Sequence, residues 1–194
     1  MDCQFHCVIG YFFEIKTGNE GLFNKIVILS KTISMQRKIY QIFTEEYEKL
    51  DNLPSADQEL ILTARESSKN AYSPYSKFSV GAAALLANGE VIKGNNQENA
   101  DFTDGLCAER VALFYAHAIY PNVAVTALAV TAKNLNGLIP GPAQPCGSCR
   151  QVLVETEFRF NHSIRLILDG AEKIMVIEGA DNLLPFAFKP GSLG

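Results

Sequence analysis

The sequence predicts an α/β protein, a three-layer α/β/α sandwich around a mixed, mostly buried β-sheet. Residues 123–132 (VAVTALAVTA) form an apolar, β-branched run typical of a strand that is buried on both faces. Candidate helices and strands alternate from about residue 55 to residue 184, which favours one layered domain. The chain has 194 residues and is 47% hydrophobic, enough for one substantial core.

The first predicted elements are a helix and a hairpin. Ser55 or Asp57 is a candidate N-cap, and residues 59–72 (ELILTARESSKNAY) continue the helix with apolar residues at helical spacing. Residues 78–94 (FSVGAAALLANGEVIKG) predict two strands, because Asn88-Gly89 is a favoured dipeptide for a tight hairpin turn.

Predicted helices and strands also alternate from residue 107 to residue 184. Residues from Cys107 to about Tyr120 predict a helix that Pro121 ends. A loop rich in Gly and Pro follows the buried strand and leads to Cys146. The remaining predicted elements are a helix over GSCRQVLVETEF (147–158), strands at 165–170 and 173–178, and a short helix at 180–184.

Residues 1–54 differ in character from the rest and are predicted to be an N-terminal extension. They carry a candidate turn at 16–21 (KTGNEG) between two short strands and a candidate helix over Gln36–Leu50. Three alternatives remain open: an extra strand pair and helix packed on the domain, a loosely attached segment, or translation that begins at Met35. The predicted division is an extension at 1–54, a catalytic domain at 55–190 and a tail at 191–194.

Composition narrows the classes of partner. The net charge is −4 and the chain has no run of Lys and Arg, so we expect a small-molecule partner and no nucleic acid. No apolar run approaches the roughly 20 residues that span a bilayer, and the N-terminus lacks the basic start of a signal peptide. We therefore expect no membrane association. An odd number of cysteines, five, favours a reducing, cytoplasmic setting.

Three of the cysteines predict a metal site. Cys146 and Cys149 form a Cys-x-x-Cys at the start of one predicted helix, and Cys107 starts another. A Cys-x-x-Cys alone also suits an iron–sulfur centre or thioredoxin-type redox chemistry. Three protein ligands leave the fourth position of a tetrahedral zinc open, which is typical of a catalytic site. The alternative is a structural zinc completed by His162 or Cys7.

Three charged residues lie close in sequence to the candidate cysteine ligands. Helix N-termini stabilise thiolates, yet three thiolates and Zn²⁺ still sum to a charge of −1. Arg110 and Arg150 each follow a candidate ligand and are placed to donate hydrogen bonds to sulfur. The alternative for each is an ordinary surface position, and the hydrogen bond to sulfur is favoured more clearly for Arg110 than for Arg150. Glu109 lies in the first helical turn, where a carboxylate can exchange protons with an activated water or merely favour the helix dipole.

These motifs resemble the zinc-dependent cytidine deaminase family, in its short, three-cysteine, tetrameric form. Cys-Ala-Glu-Arg (107–110) and Pro-Cys-Gly-Ser-Cys-Arg-Gln (145–151) match its zinc motifs, and a non-ligand Glu is part of the known signature of zinc deaminases. The resemblance runs from about Ser55 to Pro190. It includes the stretches AYSPYSKFSVGAAALL (71–86), GNNQENADF (94–102) and LLPFAF (183–188).

The resemblance implies roles for individual residues. The zinc ligands would be Cys107, Cys146 and Cys149, and Glu109 would be the proton shuttle. Asn96 and Glu98 would hold the ribose hydroxyls, where a carboxylate suits a nucleoside better than a phosphorylated nucleotide. The remaining implied contacts are Phe78 against the base, with a core position as its alternative, and Phe188 in a neighbouring subunit's pocket. Backbone groups near Ala108 and Pro145 are candidates to bind the exocyclic amine.

The implied reaction is hydrolytic deamination of cytidine and deoxycytidine to uridine and deoxyuridine, a step of pyrimidine salvage, by a homotetramer. Family members often have Tyr where this chain has Phe102, and Gly where it has Phe186. DFTDGLCAE (101–109) is also somewhat similar to blasticidin-type deaminases, but Arg110 favours cytidine deaminase. A modified-nucleoside deaminase, a structural zinc module and an RNA-binding protein are the alternatives.

Overall fold

The computed structural model describes residues 36–193. The chain divides into two units, and the first comprises residues 1–39. Only residues 36–39 of this first unit are among the described residues. The second unit, from Tyr40 onward, contains every helix and strand given below. The predicted turn at 16–21, the alternative start at Met35 and the alternative ligand Cys7 lie outside the described residues.

The described elements follow the predicted alternation of helices and strands. Three α-helices and seven strands are formed by the described residues, and a few single turns of 3₁₀ helix join them. In chain order the elements are β1 (Glu45–Tyr47), α1 (Ser55–Ser67), β2 (Ser79–Leu86), β3 (Val91–Asn95), α2 (Ala108–Ile119), β4 (Val125–Asn134), β5 (Gly137–Leu138), α3 (Gly147–Phe160), β6 (Arg165–Leu168) and β7 (Ile174–Glu178).

The strands form one mixed sheet in the order β1-β7-β6-β4-β2-β3, and β5 adds to β4. The β4–β6 pair is parallel, whereas the other pairs are antiparallel. Ser79 lies opposite Lys133, and Gly81 lies opposite Asn95. The start of β2 and the ends of β3 and β4 therefore lie together at the same end of the strands.

Helices cover both faces of this sheet, which confirms the predicted three-layer architecture. Alternate residues of the strands point to opposite faces because the side-chain period of a strand is two. On one face α1 packs against a set of small and branched residues: Ala83, Ala127, Ala129, Ile167, Ile174 and Val176. On the other face α2 and α3 pack against Ala82, Ala84, Leu128, Val130, Leu166 and Leu168.

The predicted helix over Gln36–Leu50 is wrong. Residues 36–44 have no regular structure, residues 45–47 form strand β1, and Leu50–Asn52 form a single 3₁₀ turn. β1 pairs antiparallel with β7, and Glu46 forms an ion pair with Lys173 at 2.7 Å. Pairing with the open sheet edge outweighs the weak local helix preference of this segment.

Two further details differ from the predictions. Neither Ser55 nor Asp57 is the N-cap of α1, because the helix already begins at Ser55 and Pro54 precedes it. The Asp57 carboxylate instead accepts hydrogen bonds from Arg165 on β6. The predicted C-terminal helix is reduced to one 3₁₀ turn, Ala180–Asn182. None of the helices among residues 36–193 is both long and apolar enough to cross a membrane.

Gly94 on β3 allows α2 to lie unusually close to the sheet. A Cβ atom at this position would be 2.3 Å from the Ala108 carbonyl oxygen and 2.5 Å from the Ala112 nitrogen. Both neighbours are backbone atoms, so the first turn of α2 would have to move. That turn follows Cys107 and contains Glu109, and the contact therefore sets the position of two predicted site residues.

We expect Gly94→Ala to lower the free energy of unfolding by about 3 kcal/mol, the upper range for overpacking a closely packed site. Urea unfolding of the purified variant measures this change. Gly191→Ala is the matched control, because nothing lies within 4 Å of a Cβ at Gly191. Equal stability of the two variants would contradict the importance of the close approach.

Candidate functional site

The structure brings the three predicted cysteine ligands together. The Sγ atoms of Cys107 and Cys146 are 3.7 Å apart, and those of Cys146 and Cys149 are 3.5 Å apart. All three sulfurs lie within 4.8 Å of one another. Tetrahedral zinc with Zn–S bonds near 2.3 Å separates its sulfurs by about 3.8 Å. The donor set and its spacing therefore fit a zinc ion.

Two helix N-termini carry these ligands. Cys107 directly precedes α2, and Cys146 directly precedes α3, whose first turn contains Cys149. Both preceding cysteines have extended backbone and serve as N-cap residues without a side-chain cap. The positive ends of the two helix dipoles thus converge on the sulfurs and favour their thiolate form.

The thiols also shift one another's pKa values. Hydrogen bonding from the Cys149 thiol lowers the pKa of Cys107 to about 5, and the nearby Arg110 guanidinium adds to this effect. The same hydrogen bond, with burial, raises the pKa of Cys149. The surroundings of Cys107 therefore favour its thiolate, which is the form that binds metal.

Arg110 lies beside the cluster, as the sequence predicts. Its Nη2 atom donates to the Gly105 carbonyl at 3.3 Å and lies 3.9 Å from the Cys107 sulfur. Its buried Nε atom has no hydrogen-bond partner among the described residues. The cationic group thus offsets part of the thiolate charge.

Glu109 is buried although it is acidic. Its residue is only 4% exposed, and it lies in the first turn of α2 between Cys107 and the core residue Ala112. Burial raises the pKa of Glu109, and the neighbouring Cys107 charge raises it further. A carboxyl group in such surroundings takes up a proton more readily than a solvated one. Its place beside the thiols suits proton transfer better than a purely structural role.

Arg150 makes different contacts from those predicted. Its Nε atom donates to the Pro145 carbonyl at 2.8 Å, and its Nη1 atom donates to the Leu183 carbonyl at 3.1 Å. These partners are carbonyl oxygens, not ligand sulfurs. Arg150 therefore connects the loop before Cys146 with the C-terminal segment of the chain.

Asn96 and Glu98 follow the last residue of β3, at the end of the sheet where β2 starts. The Asn96 amide accepts from the Val80 nitrogen at 2.7 Å and donates to the Phe78 carbonyl at 2.9 Å. The Glu98 carboxylate accepts from the Tyr75 nitrogen at 2.9 Å and from the Ser76 hydroxyl. The Ser76 hydrogen bond is the largest cause that lowers the pKa of Glu98. Both side chains are thus held in place before a ligand arrives.

Phe78 and Ala108 are positioned by neighbouring backbone. Lys77 has a φ angle of 57°, an uncommon left-handed conformation for a lysine, and it turns the chain immediately before Phe78. Phe78 is partly exposed, so it is not a core residue, which was the alternative interpretation. Ala108 is fully buried at the first position of α2, between Cys107 and Glu109.

Phe188 has an exposed side chain on a backbone that is held firmly. The Gln151 amide donates to the Phe188 carbonyl at 2.7 Å and accepts from the Phe188 nitrogen at 3.2 Å. Sequence reasoning missed both Gln151 and Ser76. The signal was present, because Gln151 ends the matched motif Pro-Cys-Gly-Ser-Cys-Arg-Gln and Ser76 lies in the matched stretch 71–86.

Among residues 36–193 the three cysteines are the one cluster of metal-binding side chains. His162, an alternative fourth ligand, lies beyond the far end of α3 and bonds to the Ser163 carbonyl. The 14 residues of α3 span about 21 Å, so His162 does not reach the cysteines at its start. Three clustered thiols with no fourth ligand side chain near them among residues 36–193, together with a buried carboxylate, are typical of one class of protein: a zinc-dependent hydrolase on an α/β/α domain.

Comparison with known proteins specifies the family. Residues 54–161 match the family model described as the cytidine and deoxycytidylate deaminase zinc-binding region. The chain belongs to this family of zinc-dependent deaminases. A cytidine deaminase from Sporosarcina psychrophila is 37% identical over 137 residues, which cover 70% of this chain and 93% of that protein. One from Halalkalibacterium halodurans is 46% identical over 98 residues, covering 50% of this chain and 70% of the relative.

Solved structures agree with the sequence comparison. The crystal structure of a cytidine deaminase from Burkholderia pseudomallei has a TM-score of 0.58 and 38% sequence identity, and the match covers 67% of this chain and 97% of that one. The cytidine deaminase from Mycobacterium tuberculosis has a TM-score of 0.53 and 32% identity over 68% and 95% of the two chains. The predicted fold class, the zinc cofactor and the enzyme family are thereby confirmed.

Proposed function

We propose that this chain catalyses the hydrolytic deamination of cytidine and deoxycytidine to uridine and deoxyuridine, with release of ammonia. One observation carries the proposal. The buried Glu109 carboxylate lies beside a cluster of three thiols that leaves one position of a tetrahedral zinc open. The similarity to curated cytidine deaminases, at 37% identity over most of the chain, supports the choice of substrate.

The chain's own groups account for binding and proton transfer. A zinc ion held by Cys107, Cys146 and Cys149 would supply Lewis-acid activation of water near neutral pH. Glu109 takes up a proton at its carboxylate, donates it to N3 of the pyrimidine and later helps to protonate the leaving amine. Arg110 offsets thiolate charge, and backbone groups near Ala108 and Pro145 would bind the exocyclic amine.

The remaining site residues are proposed to bind the nucleoside. Asn96 and Glu98 would face the ribose hydroxyls, and Phe78 would pack against the base. The hydrogen bonds that already hold the two polar side chains lower the ordering cost of binding. The Glu98 carboxylate accepts hydrogen bonds from a sugar but repels a phosphate, which favours nucleosides over nucleotides.

A substrate panel tests the proposal. The purified protein is loaded with zinc, its metal content is measured, and cytidine, deoxycytidine and blasticidin S are followed by ultraviolet absorbance. We expect one zinc per chain and turnover of the two nucleosides. Preferential turnover of blasticidin S would instead favour the antibiotic deaminase that residues 101–109 resemble. Zinc without any turnover would favour a structural module.

Glu98→Gln is expected to raise KM for cytidine about tenfold with little change in kcat, because a charge-assisted hydrogen bond to the sugar becomes a neutral one. Initial rates over a range of cytidine concentrations measure both constants. Glu90→Gln, at an exposed position of the β2–β3 turn, is the matched control. An unchanged KM in the Glu98 variant would show that this carboxylate does not contact the substrate.

We also propose that the active form is a homotetramer in the cytoplasm. Phe188 supports an intersubunit role, because its exposed ring is attached to backbone that Gln151 holds on both sides. A reducing compartment suits three thiols that must stay free to bind metal. Light scattering of the purified protein measures the number of subunits directly, and a monomer would contradict the proposed assembly.

A further inference from the structure

Two ion pairs connect helix α1 with β6 and the residue after it; the helix supplies the carboxylate of one pair and the guanidinium of the other. Near the start of α1, the Asp57 carboxylate accepts from the Arg165 guanidinium at 3.0 Å. Near its end, the Arg65 guanidinium donates to the Asp169 carboxylate at 2.7 and 2.8 Å. Asp169 directly follows β6, the strand that runs parallel to β4. Both pairs join a carboxylate to a guanidinium, but they differ in position, and the Arg165 guanidinium also pairs with Glu45 and Glu178.

Asp169 is the more deeply buried of the two carboxylates. It is fully buried, and its two oxygens accept three hydrogen bonds, two from Arg65 and one from the Thr131 hydroxyl at 2.7 Å. A buried carboxylate is costly unless it is paired and hydrogen-bonded, and here both conditions are met. The side chain of Asp169 is consequently fixed against α1 and β4.

The backbone that follows Asp169 holds another loop. The Asp169 carbonyl accepts from the Ala143 nitrogen at 2.9 Å, and the Ala171 nitrogen donates to the Ile139 carbonyl at 2.8 Å. Between these bonds the two segments touch through backbone, because a Cβ on Gly170 would lie 2.5 Å from the Gly141 carbonyl group. Residues 139–143 are thus packed closely along residues 169–172.

The loop formed by residues 139–143 leads directly to two proposed zinc ligands. Ala143 is buried and lies three residues before Cys146, and Pro145 between them is buried as well. The Pro145 carbonyl accepts from Arg150, one turn into α3. A shift of Asp169 would therefore be transmitted through Ala143 to the start of α3, where Cys146 and Cys149 lie.

We propose that Arg65, Asp169 and Thr131 are positioning residues of the zinc site: they fix the Asp169 backbone, which holds the loop that leads to Cys146 and to the first turn of α3 with Cys149. This inference rests on the zinc site of the proposed function, but not on its substrate. It assigns a role in metal binding to residues on the α1 side of the sheet. The cysteines lie at the start of α2 and α3, on the opposite side.

The test compares Asp169→Asn with Asp57→Asn. Zinc affinity is measured by competition with a chromogenic chelator, and site geometry by the absorption spectrum of the cobalt-substituted protein. We expect Asp169→Asn to lower zinc affinity about tenfold and to alter the cobalt spectrum. That is the lower end of the effect of losing a direct hydrogen-bond partner of a ligand, because Asp169 acts through the loop at Ala143. Asp57→Asn removes one of the three carboxylate partners of Arg165, the others being Glu45 and Glu178. It changes the same helix at a site far from the Ala143 loop and should leave both readouts unchanged, with only a small decrease in the urea midpoint.

Thr131→Val is the second variant, because it keeps the shape of a buried side chain and removes only the hydrogen bond to Asp169. We expect a smaller loss of zinc affinity in the same direction. Wild-type affinity in both Thr131→Val and Asp169→Asn, or an equal loss in Asp57→Asn, would overturn the proposal. Neither readout uses substrate, so failure to deaminate cytidine would count against the proposed function alone.

Discussion

Glu109→Gln is expected to lower kcat for cytidine by about a thousandfold, within the usual contribution of a general acid–base group. The amide has nearly the same volume as the carboxyl group but neither accepts nor delivers a proton. Because Glu109 is buried in the first turn of α2 and the Gln side chain fills the same space, we expect the fold and the zinc content to persist. Steady-state rates and metal analysis of the same preparation measure both effects.

Glu155→Gln is the matched control for this prediction. Glu155 lies on the exposed face of α3 and outside the thiol cluster, so its replacement should leave kcat and zinc content unchanged. A Glu109→Gln protein that retains zinc and works within tenfold of the wild type would refute the role of Glu109 as proton shuttle. Loss of zinc from that variant would instead indicate that the carboxylate contributes to metal binding.

Cys149→Ala is expected to abolish stoichiometric zinc binding and, with it, all measurable turnover. Cys149 is the most deeply buried of the three ligands, and its sulfur lies 3.5 Å from that of Cys146. Two remaining thiolates leave two positions of a tetrahedral zinc to water, which weakens binding strongly. Zinc that binds the native state also stabilises it, so the rise in Tm on adding zinc should disappear.

Cys7→Ser distinguishes a three-ligand from a four-ligand site. If Cys7 completes a structural zinc, its replacement lowers zinc affinity as the Cys149 variant does. If three thiols hold the metal, Cys7→Ser keeps full zinc content and wild-type kcat. Measurement of zinc content in both variants therefore decides between the two arrangements, and zinc retained in Cys149→Ala would contradict the assigned ligand set.

Much of the fold was predictable because its signals are local. The apolar run at 123–132 and the Asn88-Gly89 turn correspond to β4 and to the β2–β3 hairpin, in which Gly89 has a φ of 87°. Strand ends shift by a residue or two, since hydrogen bonding to neighbouring strands sets them. The segment 36–50 was mispredicted because its structure depends on β7, which lies more than a hundred residues later in the chain.

The cluster of three thiols was predictable for a related reason. Cysteines at two helix starts, one of them a Cys-x-x-Cys, form a compact signature with few structural solutions. The contacts of the nucleoside-binding residues were not predictable, because a motif specifies residue types but not their partners. Glu98 was expected to hold a sugar, and the structure adds that Ser76 and Tyr75 already hold Glu98.

By itself the sequence determined the alternating α/β pattern, the three thiols and the carboxylate beside them. All of these follow from residue type and short spacing along the chain, where the periodicities of helix and strand act directly. Only the tertiary structure decided the partners of Arg65 and Asp169, 104 positions apart. Such pairs form because burial removes water and leaves each charged group to find its partner across the fold, a condition that no local pattern encodes.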